Sequence, residues 1–134
     1  MTRKILAVVL GIVTAFVLVA VIEAVGHMIY PPPPDLDPTD REALRDYVEG
    51  LPPGAFAFVL AAWGLATLMG GVLACVIAKE KPLRYATIVG AVVLAATLLN
   101  LFLIPHPLWF SIAGVGLILV MTLAAGRLGA QSRA

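Results

Sequence analysis

The stretch ILAVVLGIVTAFVLVAVI, Ile5 to Ile22, runs 18 residues without a charge. A run of that length reads as a membrane span rather than a core helix or the shorter apolar heart of a signal peptide. Met1-Thr2-Arg3-Lys4 ahead of it resembles a signal-peptide start, but no small-residue cleavage pattern follows, so retention as an anchor is expected. Past Glu23 and His27 the apolar character continues to Ile29. Tyr30 and the prolines Pro31 to Pro34 then end the helix, because proline cannot continue it and restricts the residue before it.

Three further apolar segments follow: Ala55 to Ala78, Tyr85 to Ile104, and Leu108 to about Leu128. In lipid the backbone must satisfy its own hydrogen bonds, so each is expected to be helical despite its valine and isoleucine content. The expected fold class is an all-α membrane protein. A single domain, 1–134, holds a four-transmembrane-helix bundle with spans at about 5–29, 55–78, 85–104 and 108–128 and a loop at 30–54. Composition agrees: 61% of residues are hydrophobic and 13% charged, where soluble domains are about a quarter charged. The short turns Lys79-Glu80-Lys81-Pro82 and Pro105-His106-Pro107 make successive spans antiparallel neighbours. With a net charge of +1 and no basic patch, nucleic acid is excluded as a partner. The lipid bilayer is the expected one. Cys75 is the only cysteine, which excludes intramolecular disulfides and paired-cysteine redox chemistry.

Orientation follows from lysine and arginine. Arg3, Lys4, Lys79, Lys81, Arg84, Arg127 and Arg133 fall on one side, and only Arg41 and Arg45 on the other. The positive-inside rule then puts both termini in the cytoplasm and the 30–54 loop outside, in a bacterial cytoplasmic (inner) membrane. Tyr30, Phe56, Trp109 and Phe110 fall at the outer boundary as interfacial aromatics. The outer loop carries Asp35, Asp37, Asp40, Glu42, Asp46 and Glu49. Within it, Thr39-Asp40-Arg41-Glu42 matches a capping box, with Thr39 as N-cap. Leu44, Tyr47, Val48 and Leu51 make one apolar stripe. A short amphipathic helix over about Thr39 to Glu49 is expected, with Gly50 as its stop.

The chemistry-bearing residues gather toward that outer side. Glu23 and His27 are four apart and share a helix face. An ionisable residue inside a span is costly and marks a functional candidate facing the bundle. Asn100, Trp63 and Thr67 lie at comparable depth, with Thr97 and Ser111 adding to a polar layer. Glu23, His27, Asn100, Trp63 and Thr67 are the candidate ligand-binding set. His106, held between two prolines, would join Glu23 and His27 as ligands for a divalent metal such as zinc. Glu23 is expected to hydrogen-bond His27 or Asn100. No zincin, nucleophile-elbow, Walker or dinucleotide motif occurs in context.

Small residues recur every fourth position at Ala7, Gly11 and Ala15, and again at Ala62, Ala66, Gly70, Ala74 and Ala78. Such stripes let backbones approach, within the chain or in a homo-oligomer or larger membrane complex. Four spans with Glu23 in the first look like the small multidrug resistance transporters. The resemblance covers topology and Glu23 only. The acidic loop, the seven-to-two charge bias and the outward position of Glu23 depart from that pattern, so no transport role is carried over. The function expected from the residues is binding or transport of a cation or small ligand at an outward polar site. The alternatives are a metal-dependent membrane enzyme or redox protein using the same site, and a structural subunit.

Reporter fusions after Lys4, Asp46, Lys81, His106 and Ala134 should read in, out, in, out, in. A cytoplasmic signal at Asp46 would end this orientation.

Overall fold

The structure, a computed structural model, describes residues 1–132; Arg133, which enters the charge count, and Ala134 lie outside them. Five helices follow in order: α1 (Thr2–Ile29), α2 (Arg41–Glu49), α3 (Pro53–Ala78), α4 (Pro82–Leu103) and α5 (Leu108–Gln131). There is no strand among the described residues. All but α2 are long and apolar enough to cross a membrane. The chain is thus a four-helix membrane bundle with one short helix in its first loop.

The element boundaries shift in explicable ways. α3 and α4 start at Pro53 and Pro82, a little earlier than Ala55 and Tyr85, because proline suits the first helical turn, where its missing N–H is not needed. α5 continues to Gln131, where Gly129 lets the helix lie against Cys75 of α3. α2 also starts later than the capping box implies. Asp37 Oδ1 accepts from the Thr39 N–H at 2.9 Å and its hydroxyl at 2.7 Å. Thr39 is therefore held in a turn, and the N-cap passes to Asp40, whose Oδ1 accepts from the N–H groups of Glu42 and Ala43, each at 3.1 Å. Gly50 ends α2 in an ordinary right-handed conformation, not the left-handed one glycine uniquely allows.

α3 is the hub. It packs on α1, α4 and α5, whereas α1 and α5 do not meet. Its stripe Ala62, Ala66, Gly70, Ala74 and Ala78 is buried, as is Ala7, Gly11 and Ala15 on α1. The two stripes meet inside the chain. A Cβ on Gly11 would lie 2.8 Å from the Gly70 carbonyl oxygen, and one on Gly70 would lie 2.5 Å from that of Gly11. This is backbone-to-backbone contact, the close approach that binds helices in lipid, where burial of apolar surface supplies no drive. The rest of α1 turns valines to the surroundings: Val9, Val13, Val17 and Val21 are all exposed, as a lipid-facing helix requires.

The end away from α2 is clamped. Lys4 Nζ lies 2.8 Å from Glu80 Oε1, which also accepts from the Tyr85 hydroxyl at 3.1 Å. These bonds tie the start of α1 to the α3–α4 turn and hold the Glu80 carboxyl below its usual range. Lys79 and Lys81 both adopt positive φ (59° and 35°) to make so short a reversal without glycine. α2 is attached differently. None of its Cα atoms comes within 8 Å of a Cα in another helix. It rests on the side chains of Tyr47 and Val48, with Leu51 just past its end, and on one hydrogen bond from Arg41 Nη1 to the Phe102 carbonyl at 2.9 Å. That carbonyl lies in the last turn of α4, where no helical N–H reaches it.

Gly70→Ala should lower stability in reversible micellar unfolding by roughly 1–3 kcal/mol, the usual cost of forcing atoms into a packed contact. Gly116→Ala is the control, since a Cβ there meets nothing within 4 Å. Equal stability of the two variants would show that the α1–α3 contact does not hold the bundle.

Candidate functional site

The helices that touch at Gly11 and Gly70 carry larger residues toward the α2 end, and a cavity opens there. It has a volume of about 200 Å³ and lies between α1, α3 and α4 with α2 as its roof. Glu23, His27 and Tyr30 come from α1 and the residue after it, Phe58 and Val59 from α3, and Asn100 from α4. Tyr47 and Val48 of α2 and Leu51 just after it close it, and His106 of the α4–α5 turn stands at its edge. A second cavity of about 160 Å³ lies deeper, bordered by Phe16, Val19, Trp63, Val93 and Thr97. Glu23 and Asn100 border both, so these two polar side chains stand between the chambers.

The structure thus gathers Glu23, His27, Asn100 and His106 around one space and sets Trp63 in the next. It does not gather the rest of the polar layer. Thr67 is fully buried and donates to the Trp63 carbonyl at 2.7 Å, and it borders neither chamber. Ser111 turns back to the Pro107 carbonyl at 3.4 Å. Cys75 is buried among helices at the other end.

One expectation is corrected. Glu23 makes no hydrogen bond to His27, Asn100 or any other described residue; its one electrostatic neighbour is His27, a turn further along α1. The reason is geometric. Glu23 and Asn100 stand on different helices, and α1 packs mainly on α3 and only thinly on α4, which leaves space where a polar clamp would have closed. Among the described residues no three His, Cys, Asp or Glu side chains come together as a metal-ligand set. Glu23, His27 and His106 share a cavity but do not converge on a point.

His106 is held by contacts the sequence did not announce. Its Nδ1 lies 2.7 Å from the Ile104 carbonyl, which can only accept, so Nδ1 carries the proton and Nε2 keeps a lone pair. The ring stacks on Phe110 at 5.0 Å and 15°. Phe110 also meets Phe56, Trp63 and Trp109 at 5.1, 5.3 and 5.8 Å, so one buried phenylalanine orients the histidine and joins it to α3. Burial pushes the His106 imidazole below its ordinary value, against the opposing pull of the Ile104 bond. Tyr30, Tyr47 and Phe58 are further lining residues missed in the sequence. Only the α2 stripe, with Tyr47 and Val48 on one face, signalled any of them.

Fold and site together define a small integral membrane protein with a two-chambered, carboxylate-bearing cavity at one end of its bundle. No protein-family model, curated protein or solved structure matches the chain.

Because the His106 pKa is depressed, the stability it contributes is present above the unfolded value of about 6.5 and is lost as pH falls through the folded one. Imidazole NMR should find His106 more than half neutral at pH 6.5, with the proton of the neutral form on Nδ1. His106→Gln should flatten the acid limb of the stability curve. An imidazole that titrates above its ordinary value would contradict this placement.

Proposed function

We propose that the chain binds, and in one form of the reading transports, a cation or small ligand in the cavity under α2. The observation that carries this is Glu23: an intramembrane carboxylate bordering two chambers, with no hydrogen bond to any described residue. A carboxylate in a low-dielectric setting is costly unless something pairs with it. The cavity beside it has room for that partner. Charge distribution supports the orientation in which this end faces out of the cytoplasm of a bacterial inner membrane, with both termini inside. Six acidic residues in the 30–54 loop would then raise the local concentration of cations at the mouth.

The other two readings draw less support. A structural subunit whose polar residues lock helices together needs Glu23 bonded across an interface, and it is not. A metal-dependent enzyme needs a ligand set that the described residues do not supply. The small-residue stripes that suit self-association are occupied within the chain at the α1–α3 contact.

Thermal unfolding in detergent, with a panel of monovalent and divalent cations and small amines, tests the reading. A ligand at about 100 times its Kd adds about 2.7 kcal/mol of stability. Glu23→Gln and His27→Ala should each reduce that gain, and Cys75→Ala should leave it intact. A ligand that stabilises the Glu23→Gln protein as well as the parent would refute a role for the carboxylate.

A further inference from the structure

We propose that Arg41 and Arg45 form a binding site for the phosphate headgroup of an anionic membrane lipid, next to the Glu23 cavity and sharing Val48 and His106 with it. These are the only arginines or lysines between Lys4 and Lys79, and they sit in a loop with six acids. Ordinary surface arginines there would pair with carboxylates. Neither forms an ion pair with any described residue. Instead both border one cavity of about 360 Å³ between α2 and the α4–α5 turn.

The two guanidiniums are four residues apart on α2, so they lie one above the other on the same side. Arg41 gives Nη1 to the Phe102 carbonyl and keeps its remaining N–H groups. The planar forks of two arginines match the oxygens of a phosphate better than any other side-chain pair. Glu49 is the one acid at this cavity, and His106 completes the titratable set. With His106 neutral the charge is two arginines less one glutamate, a net +1. That balance accepts a singly charged phosphodiester and disfavours a free cation.

The surroundings choose a lipid over a soluble phosphate. Val48, Leu101, Pro105 and Pro107 supply the rest of the wall. Beside it the end of α4 and the start of α5 expose Phe102, Leu108 and Trp109 at 73%, 75% and 55%, the apolar surface along which acyl chains would lie. An aromatic and apolar rim next to a basic notch is the arrangement of a headgroup site at the membrane interface. The site has a structural consequence. Arg41 makes the only side-chain hydrogen bond from α2 to the bundle among the described residues, so a headgroup held there would also hold the roof of the Glu23 cavity.

The test uses the full chain carrying Trp63→Phe, which leaves Trp109 as the only tryptophan. It is reconstituted in phosphatidylcholine vesicles with increasing phosphatidylglycerol brominated on its acyl chains. Bromine quenches a neighbouring indole, so Trp109 fluorescence reports local enrichment. Quenching beyond that expected from the bulk mole fraction is predicted. Arg45→Gln should cut the enrichment about fivefold, the weight of one basic residue near an anionic headgroup. Arg45 makes no hydrogen bond to a described residue, so this variant should keep the fold; Arg41→Gln should act likewise with some loosening of α2. Arg127→Gln at the far end, and Glu23→Gln, should change nothing. Quenching that follows the bulk mole fraction, or that survives both arginine variants, would overturn the site. If inorganic phosphate relieves the quenching at the concentration of the lipid headgroup, the ligand is soluble phosphate and the lipid assignment fails. Since Glu23→Gln enters only as a control, this outcome is independent of the reading of the Glu23 cavity.

Discussion

The contact between Gly11 and Gly70 is the constraint from which the rest follows. A bundle in lipid gains nothing from hiding apolar side chains, so close packing must hold its helices together. Here α1 and α3 achieve it by removing side chains, over Ala7, Gly11 and Ala15 on one helix and Gly70 and Ala74 on the other. The same two helices carry Val19, Glu23, Val59 and Trp63 toward the α2 end. Backbones that touch in one half and bear bulk in the other leave space in the second. The chambers around Glu23 occupy that space, so the stripe that binds the helices also shapes the site.

α2 completes the design at low cost. It is anchored to the bundle by side chains and one arginine, not by backbone packing. Few contacts mean low local stability, which is the property of elements that move when a ligand binds. The opposite end is held more closely, since α1 and α3 touch through Gly11 and Gly70 and the Lys4–Glu80 pair and the Tyr85 bond link α1 to the α3–α4 turn. The bundle is therefore tight at one end and adjustable at the other, and its uncommon polar residues are at the adjustable end.

Most of this architecture is legible in the sequence, since the four spans depend on length and apolarity and their ends on proline. The amphipathic helix is legible too, through the Leu44, Tyr47, Val48 and Leu51 stripe. Its start is not: Thr39 fits the capping pattern, but Asp37 two residues earlier captures it and Asp40 takes over. The depth of Glu23, His27 and Asn100 can be counted along their helices, and their gathering at one space follows. What counting cannot supply is the distance between helices. Whether Glu23 meets Asn100 or faces it across a gap depends on how far α1 stands from α4. Phe110 is likewise read as an interfacial aromatic, whereas it is fully buried and orients His106.

The central claim is that the Glu23 side chain faces an accessible cavity rather than lipid or a packed interface. Cysteine accessibility tests it most directly, because Cys75→Ala removes the only native thiol. In that background Glu23→Cys should react with a small water-soluble thiosulfonate reagent added from the α2 side. Val17→Cys, on the exposed face of the same helix and bordering neither chamber, should not react. A cysteine at 23 as inert as one at 17 would mean that no cavity reaches this position, and the account of the site would fail.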